Sequence, residues 1–161
     1  MSWWRRQWAA FIALGAAAVA VAGVHLWLDA LPTVREGDVT IVAVGASSEI
    51  AGQRLSLEST AWDEFDAPAG MRTLSILLSA SGDEEASICG STRLTEPSTD
   101  RVWLDGRSLL DVPRERGEPS CTVESGPYDV LAVFVVPDDA AGPFELDVPG
   151  SGETARFLIE P

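Results

Sequence analysis

The residues of this chain best suited to bind a ligand or a metal ion are Asp and Glu residues that cluster in short segments. They form three clusters: Asp63, Glu64 and Asp66; Asp83, Glu84 and Glu85; and Asp138 with Asp139. Carboxylates of this kind can bind calcium, which takes about six to eight oxygen ligands, often from loops that meet at one end of a fold. No cluster has the spaced Asp-x-Asp-x-Asp-Gly pattern of a calcium-binding loop. Solvated turns are therefore the alternative interpretation.

Two cysteines, Cys89 and Cys121, could form one disulfide bond. In an oxidising compartment, an even pair in a small domain is typically bridged. The bridge would close a loop of 33 residues, and the chain-entropy model gives it about 3.5–4 kcal/mol of stabilisation. Buried free thiols are the alternative, and a zinc site would need more ligands than this pair supplies. We predict a structural bridge, since there is no Cys-x-x-Cys spacing to tune a thiolate.

The sequence has few of the residues that usually serve as the base in nucleophilic catalysis. His25 is the single histidine, and the chain contains no lysine. A serine or cysteine nucleophile is normally activated by such a group. Gly150-Ser151-Gly152 is typical of a hairpin turn rather than of a phosphate-binding loop. We therefore predict that the protein is not an enzyme and requires no cofactor.

Residues 8–31 are predicted to form a transmembrane signal-anchor helix. No formally charged residue occurs from Trp8 to Leu28, and an apolar run of about 20 residues can cross a bilayer core roughly 30 Å thick. Trp8 and Trp27 lie at the two ends of the run, where interfacial tryptophans are enriched. The lipid bilayer is thus the first expected partner.

The orientation of the anchor follows from its flanking charges. Arg5 and Arg6 precede the apolar run, so the positive-inside rule places residues 1–7 in the cytoplasm and the C-terminal part outside the cell membrane. A cleavable secretory signal is the alternative, and it would export the remainder of the chain as well. Either interpretation puts the cysteines in an oxidising compartment.

The exported part is strongly acidic. Residues 29–161 contain all 25 acidic residues but nine of the 11 arginines, which gives a formal charge of −16. A surface this negative repels phosphate backbones, so nucleic acid is not an expected partner. A cationic partner or a divalent ion remains possible on charge alone.

Apolar and polar residues alternate in short segments after the anchor, separated by Gly, Pro, Asp and Ser. This pattern is typical of strands and turns. With about eight or nine such segments, we predict an all-β fold, an antiparallel immunoglobulin-like β-sandwich, over residues 32–161. The predicted strands are Val39–Val44, Gln53–Glu58, Arg72–Ser79, Ser87–Leu94, Val102–Leu104, Ser120–Val123, Tyr128–Val136, Phe144–Val148 and Ala155–Ile159.

Two tryptophans lie in this predicted domain. Trp103 stands between Val102 and Leu104 and is predicted to pack in the core. Trp62 begins the acidic stretch Trp-Asp-Glu-Phe-Asp, so it is predicted either to cap a sheet edge or to be exposed.

One segment resembles a known class of domain. The run from Tyr128 to Val148, with an apolar strand ending in Val-Pro, an acidic and alanine-rich turn and a short alternating strand, resembles immunoglobulin-like domains of unknown function on membrane- or lipid-anchored bacterial envelope proteins. The stretch Leu94–Leu110, with its Arg-Val-Trp-Leu-Asp-Gly sequence, is similar to the part that precedes this block. The resemblance implies a sandwich fold and an envelope location, and it brings no catalytic residues.

These observations predict a membrane-anchored, extracytoplasmic and non-catalytic binding or accessory module of the cell envelope. Its expected protein partner is another envelope or membrane protein. The alternative is an extracytoplasmic sensor whose acidic loops bind calcium or a cationic ligand.

Overall fold

The computed structural model describes residues 7, 14–21, 23–24, 38–83, 86–123 and 126–161. Within these ranges the chain forms nine β-strands and two short 3-10 helices, at Arg107–Leu109 and Arg114–Arg116. The strands are β1 (Asp38–Val42), β2 (Ser47–Ile50), β3 (Gln53–Trp62), β4 (Met71–Gly82), β5 (Arg93–Glu96), β6 (Arg101–Leu104), β7 (Gly126–Pro137), β8 (Phe144–Pro149) and β9 (Glu153–Ile159).

The strands form two sheets, so the predicted β-sandwich is confirmed. One sheet has the order β1-β9-β8-β5-β6 and the other the order β2-β3-β4-β7. Among the described strands, one pair is not antiparallel: β1 runs parallel to β9, with Val39 opposite Thr154 and Val42 opposite Phe157. The prediction of a wholly antiparallel sandwich was wrong at this pair. The first strand joins the sheet beside the last one, where no hairpin turn fixes its direction.

The core lies between the two sheets and is built from alternating residues of the long strands. Leu74, Ile76 and Leu78 face inward from β4 at every second position and are fully buried. Phe144 and Phe157 meet them from the five-stranded sheet, also at 0% and 2% exposure. Each large apolar side chain that is buried in this way contributes about 2 kcal/mol.

The long predicted strands are present, and β3 and β4 extend beyond their predicted ends. One strand was not predicted. β2 has the sequence Ser-Ser-Glu-Ile, in which Ile50 is the single large apolar residue. It pairs with the start of β3, where Ser48 lies opposite Leu55. Tertiary pairing thus forms a strand that its own sequence does not indicate.

Two predicted strands, Ser87–Leu94 and Ser120–Val123, were wrong. In the first, β5 begins only at Arg93, and the preceding residues are irregular. Gly90 N donates to Pro149 O at 2.7 Å as an isolated bond rather than as part of a ladder. The second segment is likewise irregular over its described residues. Both cysteines therefore lie in connections between strands.

The predicted disulfide between Cys89 and Cys121 is present. The two residues are 5% and 2% exposed, and their Cα atoms are 5.1 Å apart. The bridge joins the β4–β5 connection to the β6–β7 connection. The fully buried Gln53 reinforces this junction, because its Nε2 donates to Thr122 O at 2.6 Å and its Oε1 accepts from the Tyr128 hydroxyl at 2.8 Å.

The described part of the β6–β7 connection, residues 105–123, lies along the outer edge of β7. Gly106 N donates to Val133 O, and Glu118 N donates to Asp129 O, each at 2.7 Å. Leu131 N in turn donates to Glu118 O at 2.9 Å. The N–H and C=O groups that an edge strand would leave unpaired therefore form hydrogen bonds within the chain. These hydrogen bonds fix the position of the connection, which forms one wall of the cleft described below.

The N-terminal segment is described only in part. Residues 14–21 and 23–24 are helical; the chain divides into two units after Arg35, and these residues lie in the first. Within the described ranges, no helix has both the length and the apolar character required to cross a membrane. Arg5, Arg6, Trp8, Trp27 and also His25 lie outside the described residues. The anchor over 8–31 stays a prediction.

Candidate functional site

A cleft of about 720 Å³ opens beside the disulfide. We call it the disulfide cleft. One wall is the segment from Cys89 to Thr92, and the other is the β6–β7 connection from Asp105 to Ser120. Its volume falls within the range of about 300–1,000 Å³ that is typical of small-molecule sites. Four charged side chains line it, two of each sign: Asp105, Glu118, Arg107 and Arg114.

Two buried oxygen atoms in the cleft have no hydrogen-bond partner among the described residues. They are Thr92 Oγ1 and Asp105 Oδ2. Thr92 is 4% exposed, and its hydroxyl lies close enough to the Asp105 carboxyl to favour the charged form of that carboxyl. A buried polar group left unsatisfied costs about 1–3 kcal/mol. Both oxygens have less than 1 Å² of accessible surface, so they lie behind the cleft wall rather than on it.

The environment of Asp105 disfavours its negative charge. Burial raises the pKa of the Asp105 carboxyl above its ordinary value, and this effect exceeds the opposing influence of the Arg107 amide and guanidinium. The Arg107 amide N–H donates to Asp105 Oδ1 at 2.8 Å, so one carboxylate oxygen is satisfied within the chain. The Val133 backbone and the Thr92 hydroxyl also favour the carboxylate, but burial outweighs all of these influences and the pKa stays raised.

Gly106 fixes the path of the chain after Asp105. Its backbone N–H is bound to Val133 O, and a Cβ atom at this position would lie 3.2 Å from Val135 Cγ2. A larger residue would therefore push the connection away from β7. The sequence predicts a turn at Asp105-Gly106; in the structure, the chain leaves β6 here and enters the first 3-10 helix.

Arg107 uses its guanidinium to hold the cleft wall rather than to form an ion pair with Asp105. Nη1 donates to Leu131 O at 3.3 Å and Nη2 donates to Pro113 O at 3.1 Å. Both bonds reach main-chain carbonyls, one on β7 and one between the two 3-10 helices. The side chain therefore links the connection to the sheet.

Three carboxylates of the acidic loops that predicted a calcium site pair with arginines. Two of these loops do meet, since Asp138 N donates to Gly70 O at 3.2 Å. Their ion pairs, all at 2.7–2.8 Å, are Asp63 with Arg72, Glu64 with Arg116 and Asp139 with Arg101. Within the described ranges, no three His, Cys, Asp or Glu side chains are grouped to hold a metal ion. Glu84 and Glu85 lie outside those ranges, so the calcium alternative stays a prediction.

The two tryptophans both pack on Phe144, near the end of β3 remote from the disulfide cleft. Trp62 and Trp103 each contact its ring edge-to-face at a centroid distance of 6.1 Å. Both are half-buried against the core, as predicted for Trp103. Arg72 lies 4.3 Å from the Trp62 ring and thus covers the face that would otherwise be exposed.

Three residues of the disulfide cleft were not predicted from the sequence: Thr92, Asp105 and Arg107. The available signal was weak. Asp105 directly follows the alternating strand β6 and precedes a glycine, a pattern that is usually a solvated turn. Cys89, which was predicted as half of the disulfide, also lines the cleft.

Comparisons with known proteins support the fold and no activity. No protein-family model matches this chain, and no curated protein sequence matches it. Among solved structures, the chain is similar to an uncharacterized β-sandwich protein from Clostridium difficile 630, with a TM-score of 0.50 and 10% sequence identity. The match covers 80% of this chain and 99% of that one. At this level of identity, the likeness shows that the chain contains a β-sandwich.

Proposed function

We propose that this protein is a membrane-anchored, extracytoplasmic binding module of the cell envelope that carries out no chemical step. The observation that carries the proposal is the disulfide cleft, a space of about 720 Å³ that charged side chains of both signs line. A cleft of this volume is large enough to hold a small molecule or a side chain of a partner.

The location is supported by the sequence. The apolar run over residues 8–31 follows Arg5 and Arg6, and the acidic remainder carries a disulfide, which persists in oxidising compartments. An immunoglobulin-like relationship, of the kind found on envelope proteins, is part of the proposal. It is supported by the parallel pairing of the first and last strands at one edge of a sandwich that is otherwise antiparallel over its described strands.

Two measurements test the proposal. Alkaline phosphatase fused after Pro161 should be active and a fluorescent cytosolic reporter at the same position should be dark, whereas the reverse result would remove the extracytoplasmic location. A photocrosslinking amino acid at Ser108, which is exposed in the cleft, should then give a defined adduct in native membranes. The same amino acid at Ser151, exposed in the β8–β9 turn, is the matched control.

The adduct at Ser108 should disappear when the cleft is filled by Gly117→Trp. Gly117 lines the cleft with a φ of 136°, and a side chain there would meet the backbone of β7. Because that substitution can also disturb the wall, Ser91→Trp, at an exposed position of the opposite wall, provides a second way to fill the space. An adduct that is equally strong at Ser151, or that survives both substitutions, would show that the cleft is not the binding site.

The sensor alternative is favoured by one specific observation. Asp105 and Glu118 line the cleft of a domain whose formal charge is strongly negative, and this charge attracts cations. Three carboxylates of the acidic loops, those of Asp63, Glu64 and Asp139, already pair with arginines, which favours the cleft as the place where a cationic ligand would bind.

A further inference from the structure

We propose that strand β1 is the contact between two copies of this chain, which pair antiparallel along their β1 strands and join their five-stranded sheets into one. The proposal follows from the composition of the sheet edges, from the sequence of β1 and from the charges beside it. It depends neither on the disulfide cleft nor on the predicted anchor, and it therefore goes beyond the proposed function.

Four of the described strands, β1, β6, β2 and β7, lie at sheet edges, and they differ in their protection against pairing with another chain. The β6–β7 connection covers the edge of β7. Strand β2 is short and polar and carries the exposed Glu49, and β6 begins with Arg101. A charge, a short length or a covering loop protects natural edge strands in this way. The run Val39–Val44 has no charged residue, proline or glycine, so β1 lacks such protection.

Strand β1 is open to a second strand. Of its five residues, Val42 alone is buried. Val39 and Ile41 lie on the outer face of the sheet and are 43% and 68% exposed. Thr40 lies on the core side, opposite the buried Ala155, and is exposed as well. Outside the ladder with β9, the described residues form no backbone hydrogen bond to β1, so its other side leaves N–H and C=O groups unpaired.

The sequence of β1 is complementary to itself in antiparallel pairing. With Thr40 opposite Thr40 of the second copy, Val39 of each copy lies opposite Ile41 of the other. The pairing therefore brings together two pairs of exposed β-branched side chains on one face of the joined sheet, and such cross-strand pairs stabilise a sheet. A two-fold axis beside Thr40 relates the two copies, so both use the same surface and the assembly closes as a dimer.

The charges beside β1 permit this pairing although the domain as a whole is acidic. On the neighbouring strand β9, Arg156 pairs with Glu145 at 3.0 Å and with Asp147 at 2.7 Å, so negative charge near β1 is offset within each copy. Asp38 is the one acid of β1 itself. Antiparallel pairing places the two Asp38 residues at opposite ends, about 14 Å apart along the strands. That separation exceeds the Debye length of about 8 Å at physiological salt, so their repulsion is largely screened.

The first test is the mass of the full-length protein in detergent micelles, measured by light scattering as the protein concentration rises into the millimolar range. A strand of five residues gives an interface well below the roughly 1,600 Å² of a standard stable complex, so the dimer should form reversibly. We expect the mass of the protein component to double with concentration. A mass that stays at that of one chain would overturn the proposal.

Matched variants at the two edges of the five-stranded sheet locate the contact. Ile41→Glu puts a charge into the β1 pairing and should keep the protein at the mass of one chain. Leu104→Glu is the control on β6, because Leu104 is 66% exposed and, like Ile41, lies opposite an arginine of the neighbouring strand. Both exposed changes should leave the circular dichroism spectrum unaltered. A dimer that survives Ile41→Glu, or that Leu104→Glu disrupts equally, would overturn the proposal.

A cysteine at Thr40 tests the register of the pairing. Opposite residues of an antiparallel pair have Cα atoms about 4.5–5.5 Å apart, a distance that a disulfide bond can span. Thr40→Cys should therefore give a disulfide-linked dimer under mild oxidation, visible on a non-reducing gel. Val102→Cys, at a position 52% exposed on β6, is the control and should remain monomeric. Equal crosslinking of the two variants, or none of Thr40→Cys, would overturn the proposed pairing.

Discussion

Arg101 donates two hydrogen bonds to one oxygen of Glu96, from Nε at 2.9 Å and from Nη2 at 2.7 Å. The Glu96 side chain is 3% exposed, so this is a nearly buried ion pair within the β5–β6 hairpin. Its second oxygen accepts from the backbone N–H groups of Ala141 and Gly142 at 3.1 and 3.3 Å. One carboxylate therefore joins the hairpin to the β7–β8 connection.

Replacing Glu96 by glutamine should destabilise the domain by about 3 kcal/mol. An amide cannot supply the same acceptors, and it would leave the Arg101 guanidinium without its buried partner. The measurement is the free energy of unfolding in urea. Glu49→Gln is the matched control, because Glu49 also pairs with an arginine, at 2.6 Å, but its side chain is 71% exposed. That change should cost less than about 1 kcal/mol, and equal effects of the two substitutions would contradict the role given to Glu96.

Stability should fall steeply in acid because of Glu96. Hydrogen bonds from Thr99, from Arg101 and from the two amides lower the pKa of its carboxyl to about 2 from an ordinary value of 4.5. The folded state therefore holds the carboxylate charged where the unfolded chain protonates it. This contribution is complete above pH 4.5 and is lost as the pH falls toward 2. Unfolding free energies between pH 7 and pH 2 should show a smaller acid loss in Glu96→Gln than in the wild type.

The charge of Asp105 should lower the stability of the fold, whereas the charge of Glu96 raises it. Its pKa is raised in the folded state by burial, so its charge destabilises the fold at neutral pH. Protonation relieves this cost as the pH falls through the folded pKa. In the same urea experiment, Asp105→Asn should be more stable than the wild type at pH 7, and the difference should shrink toward acid. A constant difference across the range would show that the charge of Asp105 is not the cause.

Thr92→Val should raise the free energy of unfolding by about 1 kcal/mol. The substitution removes a buried hydroxyl that has no partner in the described structure and keeps the shape of the side chain. Ser108→Ala alters an exposed hydroxyl in the same cleft, and its effect should stay within about 0.5 kcal/mol. Destabilisation by Thr92→Val would mean that the hydroxyl forms a favourable bond in the unliganded protein.

Removing the disulfide by Cys89→Ala with Cys121→Ala should cost about 3.5–4 kcal/mol. The bridge spans a separation of 32 residues, and the expected loss is the chain entropy that returns to the unfolded state. Cys89 also lines the cleft, so the photocrosslinked adduct at Ser108 should weaken together with stability. A double variant with unchanged unfolding free energy would contradict the structural role of the bridge.

The sequence predicted the sandwich because its long strands carry strong alternation. The continuous apolar run at Tyr128–Val136 indicated a central strand, and β7 is covered on both faces, since Val133 and Phe134 are both fully buried. The disulfide was predictable for a different reason, because two cysteines that are predicted to lie in an oxidising compartment leave a single pairing. The short strand β2 and the parallel β1–β9 pair depend on contacts made across the fold, and local periodicity does not report those contacts.

The cleft could not be predicted because its essential property is burial of polar side chains. An aspartate before a glycine usually lies in a solvated turn, and Asp105 differs only because the β6–β7 connection folds back along β7. The role of Glu96 was not predicted for a similar reason. Its role depends on Arg101, Ala141 and Gly142, two of which are about 45 residues away in sequence.

The parallel pairing of β1 with β9 should also determine how the domain resists a pulling force. The chain enters this pair at Asp38 and leaves it at the other end, after Ile159. Pulling the two termini of the domain apart would slide the strands past each other, so that the bonds of the ladder share the load instead of opening one by one. In force spectroscopy, handles at Asp38 and Pro161 should give a higher rupture force than handles at Asp38 and Ser151, which would peel the strands. A sandwich tethered at one end and gripped at the other would in this way resist extension.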